Sequence, residues 1–236
     1  MADEKEIQGL PDRIYDNFVE STVFITGGTG YLGKVLIERA LRVLDVKKVY
    51  LLIRSKKNKS PQVRLREIFA NPLFQKLRDL KGEKIFEKCV GMEGNITKTN
   101  LDLSEENREI LKSEVEYVIH SAATVRFDEP LRQALLINTK GVQLMLQLAK
   151  EMRKLKCFAH ISTTFCHPEV KVLEEKVYRS KRHPERLIEL IDWFDDETIG
   201  SMTKTLLGGV PNAYTFSKAL GEDLVADAMD TIPAII

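Results

Sequence analysis

Near its C-terminal end the chain reads NAYTFSKAL, which sets Tyr214 and Lys218 four residues apart. On a helix that spacing puts both side chains on one face, one turn apart. A phenol ionises near pH ~10, too high for efficient proton donation through an anion-forming cycle at neutral pH. An ammonium one turn away stabilises the phenolate and draws that pKa toward the working range. Such a pair also decorates many surface helices. What singles this one out is HISTTF, where the hydroxyls of Ser162, Thr163 and Thr164 follow an apolar run. They fall at the C-terminal end of a predicted strand, the edge along which open α/β sheets bind ligands. The chemistry such a set performs is protonation of a carbonyl oxygen as that carbonyl is reduced.

A reduction needs an electron carrier, and residues 23–41, VFITGGTGYLGKVLIERAL, carry the pattern for holding one. Val23 to Gly28 reads as a strand buried on both faces that ends in a turn. Gly28-Thr29-Gly30-Tyr31-Leu32-Gly33 fits G-x-G-x-x-G, and Gly27, Gly30 and Gly33 also fit a G-x-x-G-x-x-G spacing. The early glycines allow a tight turn and a close backbone approach to phosphate, and Gly33 lets the next helix lie against the strand. That helix carries Leu32, Val35, Leu36, Ala40 and Val43 at helical spacing. Its N-terminus then offers free N–H groups and a partial positive charge to a diphosphate. Glycine patterns alone are weak, but this one follows a strand and opens a helix, which is the context a dinucleotide site requires. Thr26, at the strand end, and residues Gly27 to Gly33 are the expected cofactor turn.

The second predicted strand, KKVYLLIR (Lys47 to Arg54), selects among dinucleotides. A site for NAD ends this strand with an acid that binds the ribose 2′-hydroxyl, about 20 residues after the glycines. Here Arg54 stands at that end, followed by Lys56, Lys57 and Lys59. A guanidinium suits a 2′-phosphate, which a carboxylate would repel, so the expected cofactor is NADPH. The later lysines read as surface.

The elements that must position these residues alternate in type. A helix with a break near Pro72 is predicted over 63–80, and a third strand with its outgoing loop over 84–96. A helix capped by Ser104 follows, then a strand in VEYVIHSAAT, a long apolar-striped helix in EPLRQALLINTKGVQLMLQLAKEMRK, and a fifth strand in CFAHIST. This alternation predicts an α/β fold with a doubly wound parallel sheet of the Rossmann type, a single domain over 1–236. One irregular insert interrupts it at about 168–211. Within the insert Leu187, Leu190, Ile191 and Phe194 form one apolar face, expected in the core, with Asp192, Asp195, Asp196 and Glu197 as its solvated edge.

Length and composition narrow the classes. The chain has 236 residues, 43% of them hydrophobic and 30% charged, enough for a real core. A net charge of +1 gives no argument for nucleic acid as a partner. The polar start MADEKEIQGLPDR argues against a secretory signal, and no apolar run approaches the ~18 residues of a membrane span. Cys89, Cys157 and Cys166 are odd in number and widely spaced, as in a reducing compartment. Cys166, beside STTF, reads as a buried strand-end thiol rather than a thioester-forming nucleophile. The four histidines make no metal-ligand pattern, so no metal is expected. His120 reads as a residue whose backbone serves the cofactor loop.

In their order TGGTGYLG, HSAATVRF, INTKG, ISTT and YTFSK, the motifs resemble the extended short-chain dehydrogenases/reductases over roughly residues 14–236. GKVLIERAL, AATVRFDEPL, LIELIDWFDDE and LLGGVPNAYTFSKALGE narrow the resemblance to the reductase domain of the alcohol-forming fatty acyl-CoA reductases. The resemblance implies NADPH-dependent reduction of long-chain fatty acyl-CoA to fatty alcohol through an aldehyde, releasing coenzyme A. It implies that Tyr214 donates the proton, and that Lys218 lowers the tyrosine pKa and holds the nicotinamide ribose. Thr163 matches the orienting hydroxyl best, with Ser162 the close alternative; Asn138 supports a relay water and the lysine. Ala122 and Ala123 let the cofactor pass close by. In GNIT, Asn95 and Ile96 stand where the family commonly has an aspartate facing the adenine, so Asn95 is expected to offer a carbonyl acceptor instead. Two other readings stay open: a nucleotide-sugar enzyme of the same superfamily and a non-catalytic NADP-binding protein.

For the full-length protein the resemblance further implies association with the cytosolic face of the endoplasmic reticulum or a peroxisome, through a region absent here, this chain itself being soluble. MDTIPAII reads as a sixth strand cut off at its apolar run. The expectation is a fold truncated at its C-terminal end that binds NADPH but reduces acyl-CoA poorly.

Overall fold

Near-continuous apolar runs make strands that bury both faces. In the computed structural model, which describes residues 12–55 and 59–236, these are β1 (Thr22–Thr26), β2 (Lys48–Ile53), β3 (Cys89–Glu93), β4 (Tyr117–His120), β5 (Cys157–His160) and β6 (Ala234–Ile235). All pair in parallel, in the order β3-β2-β1-β4-β5-β6. This is the doubly wound order, with its switch point between β1 and β4. The helices are α1 (Arg13–Phe18), α2 (Tyr31–Val43), α3 (Pro61–Phe69), α4 (Gln75–Lys81), α5 (Glu105–Glu114), α6 (Leu131–Leu135), α7 (Gly141–Lys150), α8 (Pro184–Trp193), α9 (Asp196–Leu207) and α10 (Ala213–Ala228).

Alternate residues of each strand feed two cores. Val23, Ile25, Leu51 and Ile53 pack with Ile37 and Leu41 of α2 on one face. Phe24, Val118 and Phe158 pack with α7 and α10 on the other. A third cluster joins α6, α8 and α9 to α10 through Leu131, Leu187, Ile191, Ile199 and Phe216. The insert therefore contributes a core of its own. Leu187 and Ile191 are buried as expected, but Phe194 is 44% exposed, because α8 ends at Trp193 and Phe194 is already extended. Its acids are more than a solvated edge: Asp192 pairs with Lys140 at 2.7 Å, and Asp195 caps α9 by accepting from Thr198 N at 2.8 Å.

Two elements differ from the sequence reading. β3 starts at Cys89 rather than near Lys84, because Glu83–Lys88 forms a 3-10 helix whose Phe86 stacks on Phe69 at 4.4 Å. The long helix is broken into α6 and α7 by a π-turn at Leu136–Lys140. Polar side chains that carry no helical period cause the break. Asn138 bonds Thr124 and Ser217, and Thr139 Oγ1 donates to Ser217 O at 2.9 Å. Single π-turns of this kind recur at functional sites.

α10 lies close against that turn. A Cβ on Gly221 would sit 2.7 Å from Asn138 O and 3.4 Å from Val142 Cγ2. Gly221→Ala should therefore destabilise the fold by about 1–3 kcal/mol through overpacking, measured as a lower urea midpoint with unchanged slope. An unaltered midpoint would show that the contact relaxes freely.

Candidate active site

β1 ends at Thr26, and the turn after it holds Gly27 at φ +74°, the left-handed region that strains other residues. A Cβ on Gly27 would sit 2.8 Å from Ala122 N, and one on Gly33 would sit 2.3 Å from Gly27 O. The glycine turn, the start of α2 and the loop after β4 close on one another with no room for side chains. Gly30 caps α2 without any side-chain bond, which leaves the first N–H groups of that helix for an anion.

A cleft of about 630 Å³ runs along this edge of the sheet. Of the residues expected from sequence, Gly27, Thr29, Gly30, Tyr31, Leu32, Gly33, Arg54, Asn95, Ile96, Ala122, Ala123, Ser162 and Tyr214 line it. Thr26, Gly28, Asn138 and Lys218 are buried behind it, and Thr163 sits half-buried on the turn beyond. The only charged side chains among its described lining residues are Arg54 and Arg64. Sequence reading missed Arg64. The available signal was Ser60-Pro61, a cap and first-position proline that start α3 and bring Arg64 back to bond the carbonyl of Arg54. Lys59 is exposed and pairs with Glu67, a surface role, while Lys56 and Lys57 lie outside the described residues.

Asn95 differs from its expected part. Its Oδ1 already accepts from Thr97 N at 3.1 Å and Thr97 Oγ1 at 3.0 Å. A carbonyl oxygen has two lone pairs, so this acceptor is spent locally. What Asn95 offers the cleft is its amide nitrogen.

The chemistry-bearing residues come from α10 and the loop after β5. Asn212 caps α10, accepting from Thr215 N at 2.8 Å, and sets Tyr214 in the first turn with Lys218 one turn later. Lys218 is 2% exposed, and its Nζ donates to Ile161 O at 2.6 Å and to His160 Nε2 at 3.3 Å. Burial pushes its pKa down to about 8. Asn138 makes no bond to this lysine. Its Oδ1 accepts from Thr124 N at 3.0 Å and its Nδ2 donates to Thr124 O and Ser217 Oγ, each at 3.1 Å, tying the loop after β4 to α10. Ser162 shares the cleft with Tyr214 and bonds Cys166 Sγ at 3.3 Å, whereas Thr163 Oγ1 accepts from Phe165 N at 3.3 Å, within its own turn. Burial pushes the Cys166 thiol up to about 12, so it is held neutral, as a buried thiol.

Exposed apolar groups, also missed in the sequence, flank Tyr214. Phe127 meets the Tyr214 ring edge to face at 5.2 Å and Phe165 at 6.0 Å. Both are more than half exposed, as is Val125. Cys166 also lines a second cavity of about 650 Å³, whose wall mixes Leu207, Val210 and Phe216 with Glu169, Lys181 and Arg182. The Ser162–Cys166 bond thus ties a residue of one lining to a residue of the other. A sealed glycine turn, an uncapped helix start and small Ala122 and Ala123 fit a nicotinamide dinucleotide, with Tyr214 and Ser162 at its far end.

The male sterility protein family matches residues 25–236. Among curated relatives, fatty acyl-CoA reductase wat of Drosophila melanogaster is 37% identical over 219 residues, which is 93% of this chain and 42% of that protein. Fatty acyl-CoA reductase 1 of Xenopus laevis is 40% identical over 204 residues, covering 86% of this chain and 39% of that protein. The chain thus spans about two fifths of the length of these relatives. The terminal R domain from the myxalamid PKS-NRPS biosynthetic pathway superposes with a TM-score of 0.65 at 24% identity, over 92% of this chain and 47% of that one. A nonribosomal peptide synthetase R domain from Mycobacterium tuberculosis does so with a TM-score of 0.59, also at 24% identity, over 94% and 49%. These two share the fold.

The buried lysine makes stability depend on pH. Its folded pKa is depressed from 10.5 to about 8, so between those values the unfolded chain holds the proton that the folded chain has lost. Stability from this group therefore rises with pH through that window and is lowest below about 8. Relative to Lys218→Met, the unsubstituted protein should gain about 2 kcal/mol between pH 7 and pH 9.5, read from denaturant midpoints at each pH. A constant difference would mean that Lys218 keeps its ordinary pKa.

Proposed function

The chain belongs to the male sterility protein family, as kin of the fatty acyl-CoA reductases, and from that premise we propose that it reduces long-chain fatty acyl-CoA with NADPH. The observation that carries this reading is a single cleft lined at one end by the glycine turn and at the other by Tyr214 and Ser162. The overall reaction consumes two NADPH and two protons per thioester and releases fatty alcohol and coenzyme A, with the aldehyde between the two stages.

NADPH, when bound, supplies hydride to the carbonyl carbon. The chain's own residues manage the oxygen. Ser162, or Thr163 from the adjoining turn, orients the carbonyl by donating a hydrogen bond, and Ser162 is the one that faces the cleft. Tyr214 delivers the proton as negative charge develops on that oxygen. Lys218, charged over most of the neutral range, stabilises the tyrosinate that remains. Arg54 and Arg64 would take the 2′-phosphate, and the N-terminus of α2 the diphosphate. The apolar rim of Phe127, Phe165 and Val125 beside Tyr214 favours an acyl chain over a sugar.

Two substitutions separate cofactor choice from chemistry. Arg54→Ala should weaken NADPH binding by about 1.5–3 kcal/mol and leave NADH nearly unchanged. Equal losses for both in a fluorescence titration would remove the 2′-phosphate assignment. Tyr214→Phe deletes one hydroxyl and should lower acyl-CoA turnover roughly 10²–10⁴-fold while NADPH still binds. The check is product mass from a panel of acyl-CoAs, and near-normal turnover would exclude Tyr214 as the acid.

A further inference from the structure

Beneath the cleft, one register row crosses three strands. Thr26 of β1 is paired with His120 of β4, and His120 with His160 of β5. Register partners in a parallel sheet point to the same face, here the face covered by α10. The two imidazoles lie 5.4 Å apart and are 0% and 3% exposed. His120 Nδ1 lies 2.7 Å from Thr26 Oγ1, and His160 Nε2 lies 3.3 Å from Lys218 Nζ. The remaining ring nitrogens, His120 Nε2 and His160 Nδ1, are buried without a partner among the described residues.

The neighbours fix the tautomer of His160 and orient that of His120. A lysine ammonium only donates, so His160 Nε2 must be the bare nitrogen and Nδ1 carries the proton. Thr26 Oγ1 accepts from Ala122 N at 3.2 Å. With His120 Nδ1 as the acceptor of the Thr26 proton, Thr26 Oγ1 both donates and accepts, and the His120 proton lies on Nε2. Each ring thus leaves one buried N–H without a protein acceptor, a cost that an apolar side chain would avoid. Core packing does not account for histidines here; their other nitrogens do.

We propose that His160, backed by His120 and Thr26, is a positioning residue for Lys218. With two of its N–H bonds fixed on Ile161 O and His160 Nε2, a tetrahedral ammonium has only one direction left for its third. The same row ends at the other side on Ala122 N, in the loop that lines the cleft. The row thus runs from the cofactor loop to the lysine, its two rings held together by stacking rather than by a hydrogen bond. Burial keeps the acceptor available: it pushes His120 down to about 3 and His160 well below the usual histidine value, so neither ring becomes a cation at neutral pH. The other titratable groups acting on Lys218 are Cys166, a neutral thiol, and Glu222, whose carboxylate meets His167 Nε2 at 3.0 Å.

The test has two arms. In the protein labelled with ¹⁵N-histidine, NMR should find His160 neutral with its proton on Nδ1 and His120 neutral with its proton on Nε2, neither titrating between pH 5.5 and 8. A proton on His160 Nε2, or titration of either ring in that range, overturns the proposal. The second arm follows NADPH affinity against pH and rests on the dinucleotide reading of the cleft. Affinity should fall as Lys218 loses its proton near pH 8. His160→Leu removes an acceptor from the ammonium, so that limb should move at least half a pH unit lower, with roughly 3- to 10-fold weaker binding at pH 7. His160→Gln keeps an acceptor near the Nε2 position and should return the limb to its original place. A limb that stays put in a folded His160→Leu protein overturns the proposal. Should that variant fail to fold, the His160→Gln limb and the tautomers decide. If the unsubstituted protein binds no NADPH, the dinucleotide reading fails instead, and the tautomers alone judge His160.

Discussion

An ammonium taken out of water must be hydrogen-bonded, and the burial of Lys218 is the constraint on which the rest of this structure depends. Every residue from Ala213 to Gly221 is buried, so α10 is an interior helix rather than an amphipathic one. An interior helix can carry a charge only where its neighbours supply acceptors. Ile161 O and His160 supply them because β5 ends at that level and its chain turns outward. Bringing α10 within reach needs the missing side chain at Gly221 and the π-turn that presents Asn138 to Ser217. The broken helix, the bare glycine and the strand end all serve the seating of that one charge.

The cofactor end solves the opposite problem. It must attract negative charge in a chain whose net charge is only +1. It does so by exclusion as well as by placement: no acid lines the cleft among its described residues, while Arg54 and Arg64 stand at the end of β2. The acid in register with the end of β2, Glu93 opposite Ile53, is occupied by Ser55 Oγ. Backbone donors at the start of α2 fill the interval between the guanidiniums and the chemistry. A phosphate there meets N–H groups that no side chain has capped.

How much of this the sequence disclosed follows from what is local. Strand runs, Gly27 to Gly33, the Ser104 cap and the Tyr214–Lys218 spacing are written within a few residues of themselves, so their reading needs no partner. The π-turn is not local: Leu136 to Lys140 continues an apolar stripe, and only contacts to Thr124 and Ser217 distort it. Arg64 escaped for the same reason, since a residue of α3 reaches the cleft only once α3 is docked beside β2. Phe127 and Phe165 look like ordinary loop aromatics until the fold stands Phe127 against Tyr214 and Phe165 against Phe127. That Ser162 lines the cleft while Thr163 Oγ1 accepts from Phe165 N within its own turn is likewise something spacing does not encode.

Register is the remaining link between the two ends of the site. In a parallel sheet a slip of one residue moves every side chain of a strand to the opposite face. Thr26, His120 and His160 share one row only because β4 sits against β1 with Val23 opposite Tyr117, and against β5 with Tyr117 opposite Cys157. Were β4 shifted by one, His120 would turn toward α2, and the row from Ala122 to Lys218 would be cut. The same shift would move Val118 out of the core that holds Phe24 and Phe158. Burial of these apolar residues therefore selects the one register in which the histidines reach their partners. The hydrophobic core sets the cofactor loop and the lysine in a fixed relation without either residue touching the other.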